Sequence, residues 1–423
     1  MQRRTTSIIG AGAVLDFDFH DDEKPTTAYI TDICKEQKIQ GFDGEDIDLI
    51  KQIYDRIVSA AESEYKKLHP NVRNHSKKLS FEDLLEVIET LYSYNGTWEH
   101  ERDTTPLISA LVKSDIHYKT VEYHRALETI IKTIINIVDV YDSRFKKENC
   151  ELWYKQFWNS FNGSIDIFNF NYDTTIEFSL EQYNDGFVDC NPRFQRFDPM
   201  TLWNNEDALP TVNHLHGCIL YSDENPKEHE FEYSHRDLYK RYTIYKRHLL
   251  SIQWLPSNQV GDSILYSPII TGLKKTDKLC YMPHSIYHAH LVKKILENPS
   301  LLICGYSFGD LYVNQILERH KLIHGKNQRV VIIDKWPDYV NNDNCSLYRH
   351  YMDDTSGGLK EFVGRITEGG IAPLETFKQF EQIAEDCWQS PNGVLRLYTK
   401  GLKYAVVNHQ NVIIQFLQGE GAL

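Results

Sequence analysis

The sequence predicts an α/β fold: a parallel sheet with helices on both faces, a large helical insertion and a small C-terminal appended unit. Three observations predict it. Short apolar runs of strand length recur along the chain with helical segments between them, the pattern of strand–helix–strand units. Residues 44–160 read as a helical block placed after the first strand, because their apolar residues keep a 3.6-residue period. Five apolar runs end in glycine or in polar side chains, which is how strands end where a parallel sheet opens its carboxyl edge to a ligand.

In chain order, the first strand lies in TTSIIGAGAV (residues 5–14) and runs into Gly10 and Gly12. A helix is expected around Tyr29–Lys38. From Ile47 the period turns helical through Ile50, Ile53, Tyr54, Ile57, Ala61 and Tyr65. A second helix opens at SFEDLLEVIETLYSY, where Ser80 can cap and Asp83 stands three residues on. A third runs from about Val121 to Phe145, with Leu127, Ile130, Ile131, Ile134, Val138 and Tyr141 on one side. Strands return at IDIFNF (165–170), HLHGCIL (214–220), SLLICGYS (300–307) and RVVIID (329–334). Helices are expected between them around Arg236–Leu250, Tyr287–Leu296 and Leu311–His320. In the tail, helices at Leu359–Arg365 and Leu374–Trp388 precede three strands, VLRLY, KYAVV and VIIQFL, which would form a small β-meander. The expected organisation is one domain over residues 1–340, with the insertion at about 44–160. Residues 341–423 would form a helix-plus-strand module for oligomer or partner contacts.

Composition narrows the function. The chain has 423 residues, 41% hydrophobic and 25% charged, with a net charge of -14. That balance argues against a broad phosphate-backbone footprint, so direct nucleic-acid binding is not expected. No apolar run approaches the roughly 20 residues that span a bilayer. The basic start and the short, glycine-broken apolar stretch after it lead into Asp16, Asp18, Asp21, Asp22 and Glu23, which is not a secretory pattern. A cytoplasmic protein is expected. The eight cysteines include no C-x-x-C, so a paired-cysteine zinc module is not expected, and several sit in apolar runs as small buried fillers.

The candidate site follows from the strand ends. Residues 167–177, IFNFNYDTTIE, close an apolar strand with Asn171 and Asp173, residue types depleted in strands. The other ends carry Gly10-Ala11-Gly12, His216-Gly217, then Gly305, Ser307 and Asp310, and finally Asp334. If the sheet is parallel, these groups share one edge and one crevice. Glycines after a strand let backbone approach a phosphate. A plain glycine turn is an equal reading, since Leu15 stands where a G-x-G-x-x-G motif needs its third glycine. His216 reads either as a hydrogen-bonded core residue or as a base. His214 and His216 would share a strand face, but no third ligand is evident and no metal is expected. His284, His288 and His290 read as a helix surface, and Asp310 as a helix cap.

G-A-G, N-Y-D, L-H-G and G-Y-S-F-x-D in this order resemble the sirtuin fold, in the bacterial sirtuin-like form of antiphage defence systems. FEDLLEVIETL (81–91) and SPIITGLKKTDKL (267–279) resemble further segments of those proteins, and the resemblance covers about residues 5–340. It implies a Rossmann-like sheet that binds NAD and cleaves the nicotinamide–ribose bond with water, depleting NAD; NAD is then substrate rather than resident cofactor. Asn171 would position the water and the ribose, Asp173 would fix the carboxamide or neighbouring polar contacts, and His216 would be the general base toward a ribose hydroxyl or water. Gly10, Ala11, Gly12, Asp16, Gly217, Gly305, Ser307, Phe308 and Asp334 would line the dinucleotide. The resemblance to stand-alone members implies a homo-oligomer working with a HerA-type ATPase. The alternative is a module that senses NAD or ADP-ribose without turnover.

Overall fold

The computed structural model describes residues 3–17, 81–94, 120–148, 152–204, 208–222, 237–244, 251–254, 263–271, 278–335 apart from residue 280, and 379–419, with scattered positions in 50–59 and at 362–363. The expected helix at 29–38, and most of those expected at 359–365 and from near Ile47, lie outside these residues. The strands are β1 (Thr5–Ile9), β2 (Ile165–Asn169), β3 (Phe187–Asn191), β4 (Phe194–Phe197), β5 (Thr211–His214), β6 (Tyr221–Ser222), β7 (Tyr239–Arg241), β8 (Ser251–Trp254), β9 (Ser263–Tyr266), β10 (Ser300–Cys304), β11 (Arg329–Ile333), β12 (Glu381–Ala384), β13 (Cys387–Gln389) and β14 (Leu395–Tyr398). The helices are α1 (Phe81–Tyr94), α2 (Thr120–Glu148), α3 (Leu152–Asn159), α4 (Thr175–Ser179), α5 (Pro199–Asn204), α6 (His284–Glu297), α7 (Leu311–His324) and α8 (Leu402–Gln418).

The chain divides into two compact units. The first holds residues 1–24, 141–218 and 282–423 and is built on an eight-stranded sheet in the order β12-β13-β14-β11-β10-β1-β2-β5. The six strands from β14 to β5 are parallel throughout. Read as 3-2-1-4-5-6, their order is that of a doubly wound Rossmann-like sheet, and the winding reverses between β1 and β10. Burial explains the composition of the central strands. TTSII, IDIFN and SLLIC are buried at every position, as both-face coverage requires. Thr6 bonds the Lys294 carbonyl of α6 at 3.2 Å, and Ser300, in register with Thr5, bonds the Leu417 carbonyl of α8. Neighbouring strand positions point to opposite faces, so α6 and α8 cover opposite faces of the sheet.

The amino edge is held by an ion pair. Arg4 donates from Nε and Nη2 to the two oxygens of Asp166 at 2.8 and 2.9 Å, and Asp166 also accepts from Thr211 and Asn298. That network accounts for an acidic residue with no exposure inside β2.

The tail differs from expectation. KYAVV and VIIQFL are not strands but parts of α8. Their buried residues Ala405, Val406, Ile413, Ile414, Phe416 and Leu417 form one helical face, while Val407 and Val412 are exposed; apolar runs this short carry no decisive period. A meander does form, from β12, β13 and β14, over part of the span expected to be the helix Leu374–Trp388. Because β14 lies parallel to β11, the C-terminal residues extend the main sheet instead of standing off as an appended unit. The strand expected at 214–220 ends instead at His214, and Gly217, at φ 91°, turns the chain. Within the helix expected at Arg236–Leu250, residues 239–241 form β7; residues 245–250 lie outside the described residues.

The second unit holds residues 25–140 and 219–281. It contains α1, most of α2 and the antiparallel pairs β6–β7 and β8–β9. Leu84, Leu85 and Ile88 of α1, and Leu127, Ile130, Ile131 and Ile134 of α2, are buried as their spacing predicts. Lys278 donates to Glu89 at 2.6 Å, and both are buried. Among the described residues no helix is long and apolar enough to cross a membrane.

Candidate active site

The carboxyl ends of β1 and β10 touch through glycine. The N–H groups of Gly10 and Gly12 bond the carbonyls of Cys304 and Gly305, both at 2.9 Å. A Cβ on Gly10 would stand 2.6 Å from the Gly305 oxygen, and one on Gly305, at φ 57°, would stand 2.2 Å from the Ala13 nitrogen. These glycines are needed so that the two loops can meet at the reversal of the sheet, where doubly wound folds bind ligands. A single 3-10 turn, Ala11–Val14, follows.

The end of β2 is organised by its own polar residues. Asn169 accepts from the Asn171 N–H at 2.9 Å and so shapes the turn. Asn171 then donates its side-chain amide to the Gly10 carbonyl at 3.1 Å, which places it beside the glycine loop. Asp173 sits behind. It has no exposure, and its oxygens accept from Tyr141 Oη at 2.9 Å, the Thr175 N–H at 3.0 Å and the Thr175 hydroxyl. Burial, and then the nearby Asp142 carboxylate, raise its pKa above the usual carboxylate range. Asp173 therefore anchors the turn and the start of α4; of its two expected roles, the fixing of neighbouring polar contacts fits this enclosed side chain better than contact with a carboxamide. His214, also unexposed, bonds Glu177 at 2.8 Å through Nε2 and faces the Asn171 carbonyl at 3.3 Å through Nδ1.

His216 stands forward of these. Its side chain keeps 12% exposure, its ring meets the edge of Phe170 with centroids 4.8 Å apart, and Nε2 lies 3.2 Å from Asp310 Oδ2. Phe170 also packs on Tyr306, and Tyr306 on Phe308, at 4.8 and 5.0 Å. Asn171, His216, Gly217 and the β10 loop are thus brought together around one aromatic row. Phe308 is held at φ 56°, a conformation unusual for a bulky residue and typical of functional loops, and Ser307 beside it is exposed.

Asp16 and Asp334 stand where β11, β14 and α8 meet. Asp16 binds Lys335 Nζ at 2.9 Å and accepts the Lys403 N–H at 3.3 Å, so it caps α8 from outside that helix. Gly401 leaves room for that carboxylate, since a Cβ there would stand 2.3 Å from its oxygen. Asp16, expected to line the dinucleotide, is here engaged in an ion pair and a helix cap. Asp334 bonds backbone to backbone with Tyr398 and Gly401.

The histidines of α6 are buried, not surface residues as expected. His290 bonds Asn213 at 3.0 Å and His288 faces the Leu215 carbonyl at 3.3 Å. Burial pulls the pKa of His284 down to about 3 and that of His288 to about 4, helped by neighbouring histidines, so both are neutral at pH 7. Glu177, His214 and Cys218 bring oxygen, nitrogen and sulfur atoms within 4.8 Å of one another, a donor set that sequence spacing did not show. Within this group Glu177 and His214 are already hydrogen-bonded to each other at 2.8 Å.

Three contributors were not read as site residues: Phe170, Tyr306 and the pairing of Asp310 with His216. The two aromatics were visible in FNFNYD and GYSF, but their apolar type made them look like core.

No curated protein matches the chain. Residues 166–352 match the model of a SIR2-like domain. The matched span carries Asn171, His216, Gly305 and Asp310; the glycine loop of β1 lies outside it and joins the site by the contacts above. This part of the chain is thus similar to a SIR2-like domain, and it lies on a sheet of Rossmann-like strand order.

Proposed function

We propose that the protein is an NAD glycohydrolase that cleaves the nicotinamide–ribose bond with water, giving nicotinamide and ADP-ribose. One observation carries this reading: Asn171 is tied to the Gly10 carbonyl at the reversal of the sheet while His216 packs on the adjacent Phe170. An amide and a half-buried imidazole at a dinucleotide crevice are what such a cleavage uses. The C1′–N bond breaks and nicotinamide leaves with the bonding electrons as a neutral group. The ribose passes through an oxocarbenium-like state that nearby fixed dipoles stabilise. Asn171 orients the water whose oxygen bonds to C1′, and His216 takes the proton. Gly10, Ala11 and Gly12 approach the diphosphate. Asp173 acts only by holding the turn.

The resemblance to defence proteins extends the proposal to NAD depletion in antiphage defence, by a homo-oligomer activated by a HerA-type ATPase. Leu322 and Ile323 on α7, and Val407 and Val412 on α8, are exposed and offer apolar surface for assembly. Light scattering that finds a monomer, with no gain of activity from the ATPase, would remove this extension.

The test is nicotinamide release from NAD by the wild type, Asn171→Ala and His216→Ala, with and without such an ATPase. Turnover in the wild type and its loss in both variants is the expected result. NAD binding without turnover in any setting would replace the enzyme with a sensing module.

A further inference from the structure

Asp310 is a helix cap, as its position predicts: Oδ1 accepts the N–H groups of Tyr312 and Val313 at 3.1 and 3.3 Å. Its second oxygen does something that a cap does not require. Oδ2 lies 3.2 Å from Nε2 of His216, a residue 94 positions earlier in the chain. An ionised carboxylate only accepts, so the proton of the neutral imidazole sits on Nε2 and the lone pair on Nδ1. The carboxylate is fixed from behind by the α7 N-terminus, and the loop before it is closed by Asn314, which donates to the Phe308 carbonyl at 2.8 Å. The ring is fixed from the side by Phe170. A backbone cap, a carboxylate and an aromatic edge therefore leave the imidazole one orientation and one tautomer.

We propose that Asp310 is the positioning residue of His216, and that the base of this site is Nδ1. The link between β10–α7 and β5 is then functional as well as structural: the helix end that Asp310 caps sets the direction of the base. The kinetic consequence rests on the hydrolase reading above; the tautomer does not.

The experiment uses full-length protein carrying 15N-histidine, observed by long-range 1H–15N correlation at a pH where histidine is neutral. His216 is assigned by the signal lost in His216→Gln. The wild type should show the Nε2–H form. Asp310→Asn keeps an oxygen for the cap, so stability should hold, but it turns an N–H toward His216 Nε2, which must then accept, and the ring proton should move to give the Nδ1–H form. Asp310→Ser also keeps a cap and should give a mixture. With NAD, Asp310→Asn should lower kcat by about a hundredfold with KM little changed, and Asp310→Ser by less. A wild-type Nδ1–H form, or an Asp310→Asn protein with unchanged tautomer or unchanged kcat, overturns the inference. A wild type with no turnover sinks the hydrolase reading, while the spectra still judge the tautomer.

Discussion

Replacing Gly305 by alanine tests the idea that the site depends on contact between two glycine loops. Gly305 has φ 57°, where a side chain costs about 1 kcal/mol. The new Cβ would stand 2.2 Å from the Ala13 nitrogen and 2.3 Å from the Gly12 carbonyl carbon, where ordinary contact begins near 3.4 Å. The loops must then part by about 1.2 Å. The bonds from Gly10 and Gly12 to Cys304 and Gly305, 2.9 Å each, span the same gap and fail first. Each contributes about 1 kcal/mol net, so the expected loss is about 3 kcal/mol. Gly393 supplies the control: it has φ 68° and nothing within 4 Å of a Cβ, so Gly393→Ala should lose only the conformational part, about 1 kcal/mol. Urea unfolding should separate the two variants by about 2 kcal/mol. Nicotinamide release by the folded Gly305→Ala protein should fall about a hundredfold, the effect of a 1 Å misplacement. Equal urea midpoints, or full turnover in Gly305→Ala, would refute the reasoning.

Three further outcomes are expected. Stability should fall as pH drops from about 6.5 toward 4, because the unfolded chain takes up protons on His284, His288 and His320 that the folded chain refuses. His288 and His320, held near 4, lie about 2.5 units below the usual value, or up to about 3 kcal/mol each. The raised pKa of Asp173 opposes this trend, and His320→Gln should flatten the slope of urea midpoint against pH. Asp166→Ala removes the carboxylate partner of Arg4, 11% exposed, and leaves it only the carbonyls of Gly163, Ile165 and Leu209; it should cost about 3 kcal/mol in urea unfolding, with kcat per folded molecule unchanged. Asp16→Ala should cost about 1 kcal/mol through the lost cap on α8 and leave the KM for NAD unaltered; a large rise in KM would restore Asp16 to the dinucleotide site.

The central sheet was legible because its buried parallel strands are short apolar runs bounded by glycine or polar residues. β1, β2, β10, β11 and β14 all fall where TTSII, IDIFN, SLLIC, RVVII and LRLY read as strands. The order of the strands was not readable, yet it decides which ends meet. The tail misled for a physical reason. KYAVV and VIIQFL are strand-like when taken alone, and only Gly401 before them and Gly419 after them, at φ 86° and 78°, mark the bounds of one helix. The α6 histidines misled in the opposite sense. Their polarity suggested surface, but each of His284, His288 and His290 is buried beside a polar neighbour that the sequence does not place next to it.

The polar residues of β2 show where such reading stops. DIFNFNYD holds four residues of the type that drew attention, and they do four different things. Asp166 holds the amino edge through Arg4, Asn169 shapes the turn, Asp173 anchors α4 and Tyr141, and Asn171 reaches the glycine loop. Residue type cannot separate them, because amide and carboxylate serve scaffold and site equally well. Exposure can: Asp166, Asn169 and Asp173 have none, and Asn171 keeps 7%. The same rule divides the histidines of the LHG region, with His214 enclosed and His216 forward. A strand end rich in polar residues therefore locates a site but overstates how many of them touch the substrate. Asn169 and Asp173 hold the turn that carries the one amide proposed to act.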